Sequence, residues 1–371
     1  MLVVFFTEGK HVPARRFRVE HFLGLLKKEG VRCLELPSWP SKYFNVSSSS
    51  RALSVALFTV LSLVKALVRI LQLPAVLFAD AVFIQRELLP YNIVFLERFV
   101  HLLNKNIVFD FDDSIFLYKE EISSPIGRYI TRKDTVAETI RMSREVICGN
   151  GYLAEYAEKY NKNVTIIPTV LDTDKYVPKT QAAGTNGCFV IGWMGTSGNL
   201  KYLLSLGWVF KKIRKKHPEA ILRIVTERFL FQEEFSDAIP TEFRKWSAEN
   251  EVSDLQSFDL GLMPLADDKW TRGKCGFKIL QYMATGVPVV ASAVGANNEI
   301  VQDGVSGFLA KGDAEWEEKM SKIIRNDSGI ADLFSEKGRE RVVDRYSIKA
   351  VFLIWSGVIR RAIGRKERQF F

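Results

Sequence analysis

What most constrains this chain is an alternation of short, wholly apolar runs with amphipathic stretches, interrupted once and then restarted. LVVFF (2–6) precedes a predicted helix near 15–29, AVFIQ (81–85) one near 91–104, and IVFDF (107–111) a loop and a helix near 131–143. VICGN (146–150) leads into a helix near 152–160, and VTIIP (164–168) closes the series. Strands that are apolar at every position must be covered on both faces, which points to a parallel sheet flanked by helices. The stretch 169–187, with Pro178, Gly184 and Gly187, breaks the pattern and reads as a linker. Beyond it CFVIGWMG (188–195), AILRIVT (220–226), DLGLMPL (259–265) and VPVVAS (287–292) read as strands, with helices near 199–216, 276–285, 316–326 and 348–366. The expectation is an α/β chain of two Rossmann-like halves, residues 1–168 and 188–347. They face each other across a cleft, and segment 348–371 crosses back to the first half. Ligands of such sheets bind at the carboxyl ends of the strands.

A length of 371 residues suits two domains, and a mean hydropathy of 0.00 leaves ample apolar material for their cores. The net charge of +9 favours anionic partners. Cys33, Cys148, Cys188 and Cys275 form no C-x-x-C pair, so neither a zinc site nor a disulfide framework is expected. They read as small buried hydrophobes in a reducing cytoplasm. MLVVFFTEG lacks a cationic leader and reads as a first strand rather than a signal peptide. Residues 52–73 are long enough to span a bilayer, yet Lys65 and Arg69 share a helical face with Arg51, Ser62 and Gln72. That narrow polar stripe leaves a core-packing helix, a membrane-surface helix and a span all open.

Chemistry concentrates at strand ends. In 259–292, Gly273-Lys274-Cys275-Gly276 opens a helix, and Arg272, Lys274 and Lys278 place three cations at its start. Cations at a helix N-terminus oppose its dipole by about 0.3–1 kcal/mol each unless an anion sits there. GWMGTSGNLKYL (192–203) is a second glycine turn, with Gly192, Gly195 and Gly198 and with Thr196, Ser197 and Lys201 as donors. Neither a P-loop nor a G-x-G-x-x-G fingerprint is present. In the first half, strand alternation puts Asp110 and Asp112 on one face and Asp113 on the other. These carboxylates could bind a metal, orient a substrate hydroxyl or cap the next segment; metal is the least favoured of the three, because no His or further carboxylate follows at ligand spacing. GKHVPARRFRVEHF (9–22) adds His11, Arg15, Arg16 and Arg18 after the first strand.

RGKCGFKILQYMATGVPVVASAVGANNEIVQDGVSGFLA (272–310) resembles the donor-binding segment of the family-four retaining glycosyltransferases, which have the GT-B fold. IIPTVLDTDKYVP (166–178) is similar to that family's interdomain crossing, and GWMGTSGNLKYL, RFRVEHF and FDFDDSIF resemble pieces of one bacterial branch. The family's donor site has two Glu separated by seven residues; here those positions hold Gly273 and Gln281, with Lys274 and Lys278 characteristic of the branch.

The resemblance implies sugar transfer from a UDP-, GDP- or ADP-sugar to a hydroxyl of a glycan or lipid-linked acceptor in cell-surface polysaccharide or glycolipid biosynthesis. It implies retention and no obligatory metal or other cofactor. Lys274, Lys278, Asp112 and Asp113 are then the catalytic candidates. Gly195, Thr196, Ser197, Lys201, Arg272, Gly273, Cys275, Gly276, Phe277 and Gln281 are candidates for the donor, and His11, Arg16 and Arg18 for the acceptor. A nucleotide-sugar epimerase of the same architecture and a non-catalytic membrane-surface module are the competing readings. KKIRKK (211–216) lacks the interleaved aromatics of a nucleic-acid binder. With the run 52–73 and the tail 360–371, the charge favours an anionic membrane surface as partner, on the inner face of the plasma membrane.

Overall fold

The computed structural model describes residues 1–10, 12–39, 51–89, 93–117, 134–179 and 187–364, with only the backbone given for 51–56 and 58. The chain divides into two units, Met1–Val170 with Val351–Phe371, and Leu171–Ala350.

The first unit is a six-stranded parallel sheet: β1 (Leu2–Thr7), β2 (Arg32–Pro37), β3 (Ala81–Gln85), β4 (Ile107–Phe111), β5 (Glu145–Cys148) and β6 (Val164–Ile166). Their order is β2-β1-β3-β4-β5-β6. β3 and β4 are buried at all five positions, as two covered faces require. Helices α1 (His21–Lys28), α2 (Arg51–Gln72), α3 (Phe95–Leu103), α4 (Thr135–Met142) and α5 (Gly151–Ala157) connect them. A single turn Pro13–Arg15 and a π-helical turn Arg16–Glu20 precede α1.

The second unit has strands β7 (Phe189–Met194), β8 (Ala220–Thr226), β9 (Thr241–Lys245), β10 (Leu260–Met263), β11 (Val289–Ser292) and β12 (Phe308–Ala310). Their order β12-β11-β10-β7-β8-β9 is that of a dinucleotide-fold sheet, which reverses direction between β7 and β10. The longer helices are α6 (Gly207–Lys216), α7 (Phe277–Ala284), α8 (Gly312–Ile324) and α9 (Ile330–Tyr346). The last helix, α10 (Ile348–Ile363), sends Trp355 into the first unit, where it stacks 4.7 Å from Phe22 and 6.1 Å from Phe5. The fold is α/β with two parallel six-stranded sheets.

Several elements differ from the sequence reading. Strands β2, β9 and β12 and helix α9 are additional. Edge strands such as Thr241–Lys245 are half-exposed and charged, so they lack the continuous apolar run. The expected helix 199–216 is broken at 205–206 into Leu200–Leu204 and Gly207–Lys216. Residues 171–179 of the expected linker 169–187 belong to the second unit: Tyr176 is buried, and Arg339 donates to the carbonyls of Thr173 (2.8 Å) and Tyr176. Residues 180–186 of that linker lie outside the described residues. Of the four cysteines only Cys148 is buried, and Cys33, Cys188 and Cys275 are half-buried.

Candidate functional site

In the second unit, the switch point between β7 and β10 is where an α/β sheet of this order opens a ligand crevice. α7 follows β10 and is tied to the end of β7, because the Tyr282 hydroxyl accepts from the Met194 N–H at 3.1 Å. One turn earlier on α7, Lys278 reaches back over β7. Its ammonium lies 5.3 Å from the centroid of the buried Trp193 ring. Gly195 makes room for it: a Cβ there would lie 2.3 Å from Lys278 Cε. Gly276 caps α7 at φ +60° and offers no side-chain oxygen to the first turn; a Cβ at Gly276 would also meet Ile300 Cδ1 at 2.4 Å.

No carboxylate faces the Lys278 ammonium among the described residues. Burial first, and then the neighbouring Lys274 charge, pull its pKa down to about 7. Lys274 Nζ sits 5.7 Å from the Trp270 ring. An aromatic floor, two lysines of the same sign and a helix start form a place that an oxyanion stabilises.

Other expected donor residues are engaged differently. Ser197 is buried, and its hydroxyl (2.8 Å) and N–H (3.1 Å) both donate to Glu227, so a protein carboxylate fills the turn where a ligand anion was expected. Burial pushes Glu227 up, but hydrogen bonds from its own backbone and from Ser197 hold it below the ordinary Glu value. Thr196 is exposed and accepts from Asn199 at 2.8 Å; Lys201 is exposed beside the Tyr202 ring. Arg272 turns away to pair with Asp267 at 2.6 Å. Gly273 is buried at φ −78°, an ordinary conformation, with Cys275 and Phe277 half-buried beside it. Gln281 is buried and donates to Glu251 at 3.2 Å, and Tyr176 donates to the same carboxylate at 2.5 Å.

In the first unit, the order reverses between β1 and β3, and carboxylates gather at those strand ends. Arg86, just past β3, is a non-glycine residue at φ +58°. Its guanidinium binds Asp112 at 2.6 Å and Asp113 at 2.8 Å, with Glu8 at 3.7 Å. Asp112 and Asp113 therefore converge on one partner instead of facing opposite ways, because β4 ends at Phe111 and alternation ends with it. Burial pushes the Asp112 carboxyl up, but Arg86 and then Arg18 bring it below the usual carboxylate range.

Arg18 lies inside the fold, paired with the fully buried Asp110 and donating to the Ile167 carbonyl at 2.6 Å. A direct acceptor contact does not fit that position. Arg15 is likewise held by Glu35 at 2.6 Å. Arg16 is half-buried over the Phe17 ring, 4.1 Å from its centroid. His11 lies outside the described residues. Arg86, Glu227, Trp193, Glu251 and Tyr176 were not anticipated; Arg86 and Glu227 each directly follow a strand, which is the signal that could have found them.

Residues 188–326 match the family model described as glycosyl transferases group 1. Among curated proteins, the D-inositol 3-phosphate glycosyltransferase of Corynebacterium urealyticum is 25% identical over 203 residues, 47% of this chain and 47% of that protein. A sucrose synthase of Melioribacter roseus is 36% identical over 80 residues, 20% of this chain and 10% of that protein. The chain thus spans about half, or less, of the length of the curated relatives it matches. Among solved structures, sucrose-phosphate synthase from Thermosynechococcus elongatus superposes with a TM-score of 0.71 at 14% identity, covering 97% of this chain and 99% of that one. Anabaena HepE, solved in complex with UDP and glucose, gives 0.67 at 14% identity, covering 97% and 100%.

Proposed function

We propose that this chain is a retaining glycosyltransferase, moving a sugar from a nucleotide-sugar to a hydroxyl of a glycan or lipid-linked acceptor. The observation that carries the reading is Lys278: a half-buried ammonium that no carboxylate faces among the described residues, at the start of α7, inside the segment that matches the group 1 family model. The match to inositol-phosphate glycosyltransferases and the fold shared with UDP-bound HepE support it.

In the proposed reaction the bond from the anomeric carbon to the diphosphate oxygen breaks, and the acceptor oxygen bonds to that carbon on the same face. The acceptor proton passes to the departing diphosphate. Lys278 and Lys274 stabilise the negative charge that builds on the leaving group, an interaction stronger in the transition state than before it. The Glu251–Gln281 pair is assigned to the nucleoside. Asp112, Asp113 and Arg16 are assigned to the acceptor side, with Arg86 holding the two carboxylates in place.

Thermal-shift titration with UDP, GDP, ADP and CMP tests the donor site, since a ligand specific for the folded state raises Tm by mass action. Incubation with the matching nucleotide-sugars, followed by NMR of the product's anomeric signal, tests transfer and retention. A nucleoside diphosphate that shifts Tm and an α-linked product from an α-configured donor are expected. No shift with any of the four nucleotides overturns the assignment.

A further inference from the structure

Helix α2 is built inside out. Its polar stripe faces the protein: Arg69 is 1% exposed and donates to the carbonyls of Leu36 and Thr7, each at 2.7 Å, at the ends of β2 and β1. Gln72 accepts from Arg69 at 3.0 Å and reaches the Pro37 carbonyl at 3.4 Å. Lys65 lies on the same face, near Glu87, Glu8 and Glu97. These bonds fix the helix along the sheet edge by its polar side.

The opposite side carries Val60, Leu63, Leu67, Ile70 and Leu71, between 49% and 72% exposed. The stretch Thr59–Phe78 has a mean hydropathy of 1.9, yet only 17% of it is buried. The apolar surface continues through the following 3-10 turn, Leu73–Phe78, which touches both α2 and α3. There Leu77 and Phe78 are exposed, and on α3 Phe95, Phe99 and Leu102 stand out at helical spacing. A patch of this extent, on a helix whose charged groups are turned inward, marks an interaction surface.

Charge indicates the occupant. Residues 1–170 and 351–371 hold 27 Lys and Arg against 18 Asp and Glu, whereas 171–350 hold 25 against 25. The entire net charge of +9 therefore belongs to the unit that carries the apolar face. A second copy of that unit would bring the same excess of positive charge to the contact, whereas an anionic bilayer complements both the apolar face and the charge.

We propose that the outward face of α2, with the 3-10 turn and α3, docks the first unit on the headgroup–acyl boundary of an anionic membrane. The helix lies in the interface rather than crossing it, because its polar side stays bonded to the ends of β1 and β2. Docking does not require transfer to occur, so its test is independent of the proposed reaction.

The test is flotation of the full chain with vesicles of phosphatidylcholine alone or with about 30% phosphatidylglycerol. The chain is expected to float with the anionic vesicles, less so as salt rises, and poorly with neutral ones. Leu63→Glu with Leu67→Glu should lower partitioning on the order of 100-fold while Tm is kept, since both side chains are already exposed. Should that pair disturb the melt, Phe78→Ser with Leu102→Ser reads the same surface from outside the helix. Failure of the wild type to float overturns the proposal, as does equal flotation of folded variants. It is also overturned if light scattering shows a dimer that the substitutions separate, with no vesicle binding by either form.

Discussion

Lys278 occupies the space a side chain on Gly195 would need: its Cε lies 2.3 Å from where a Cβ would be. The glycine thus serves the lysine, and the turn after β7 is open so that a cation from α7 can lie across Trp193. Gly195→Ala should push the ammonium off the ring. Overpacking of this kind costs about 1–3 kcal/mol. Nucleoside diphosphate affinity is expected to fall by about tenfold, the worth of one displaced charge-assisted contact, with nucleoside affinity kept. Calorimetric titration of both ligands checks this; equal losses for the two would place Lys278 away from the diphosphate.

Lys278→Met keeps the length of the stem and removes the charge. If the lysine stabilises the leaving group, turnover should drop on the order of 10²-fold, the loss typical of one electrostatic donor. KM should move less than kcat, because the charge it answers grows in the transition state. Steady-state kinetics decide. Unchanged kcat with raised KM would make the lysine a ground-state binder only.

The buried strands were legible because two covered faces demand unbroken apolar runs, as in IVFDF and VPVVAS. Of the four edge strands only β6 was, since strands such as TEFRK are charged and half-exposed along their length. At the site, sequence placed Lys274 and Lys278 together at the start of a helix; α7 begins only at Phe277, so Lys274 stands in the turn before it while its charge still acts on Lys278. Sequence could not see that Glu227 fills the Ser197 turn, or that Arg86 gathers Glu8, Asp112 and Asp113 from two other strand ends. Those relations depend on strand order, which spacing along the chain does not encode. The same limit applies to α2, whose polar stripe was visible but whose orientation was set by two carbonyls more than 30 residues away.

Arg86 sits at φ +58°, a conformation costing a non-glycine residue about 1–2 kcal/mol. Its three carboxylates offset that cost. Arg86→Met removes the shared counter-charge and leaves Glu8, Asp112 and Asp113 crowded at the ends of β1 and β4. Loss of one partner from a buried ion network costs about 3–5 kcal/mol, so a large drop in Tm at neutral pH is expected. Without Arg86, burial raises the Asp112 carboxyl pKa above that of the unfolded chain. The folded state then binds more protons, and stability should fall as pH rises from about 4. Denaturant melts across pH 4–8 check the sign. A variant whose stability keeps the wild-type profile would show that the carboxylates find other partners.

The depressed pKa of Lys278, about 7 in the unliganded protein, gives the sharpest pH test. An unfolded lysine titrates near 10.4. Between those values the unfolded chain binds more protons than the folded one, so this residue contributes stability that grows as pH rises through the window. A bound diphosphate reverses the balance: its negative charge favours the ammonium, and binding must be accompanied by proton uptake wherever the free lysine is neutral. Diphosphate affinity should therefore be flat below pH 7 as far as this residue is concerned. Above pH 7 it should fall by up to tenfold per unit, while affinity for the uncharged nucleoside stays level. Calorimetry in buffers of different ionisation enthalpy reads the proton directly, with uptake approaching one per site near pH 8.5 in the wild type and none from this source in Lys278→Met. A wild type that takes up no proton and shows the same pH profile as Lys278→Met would mean that the diphosphate never meets this lysine.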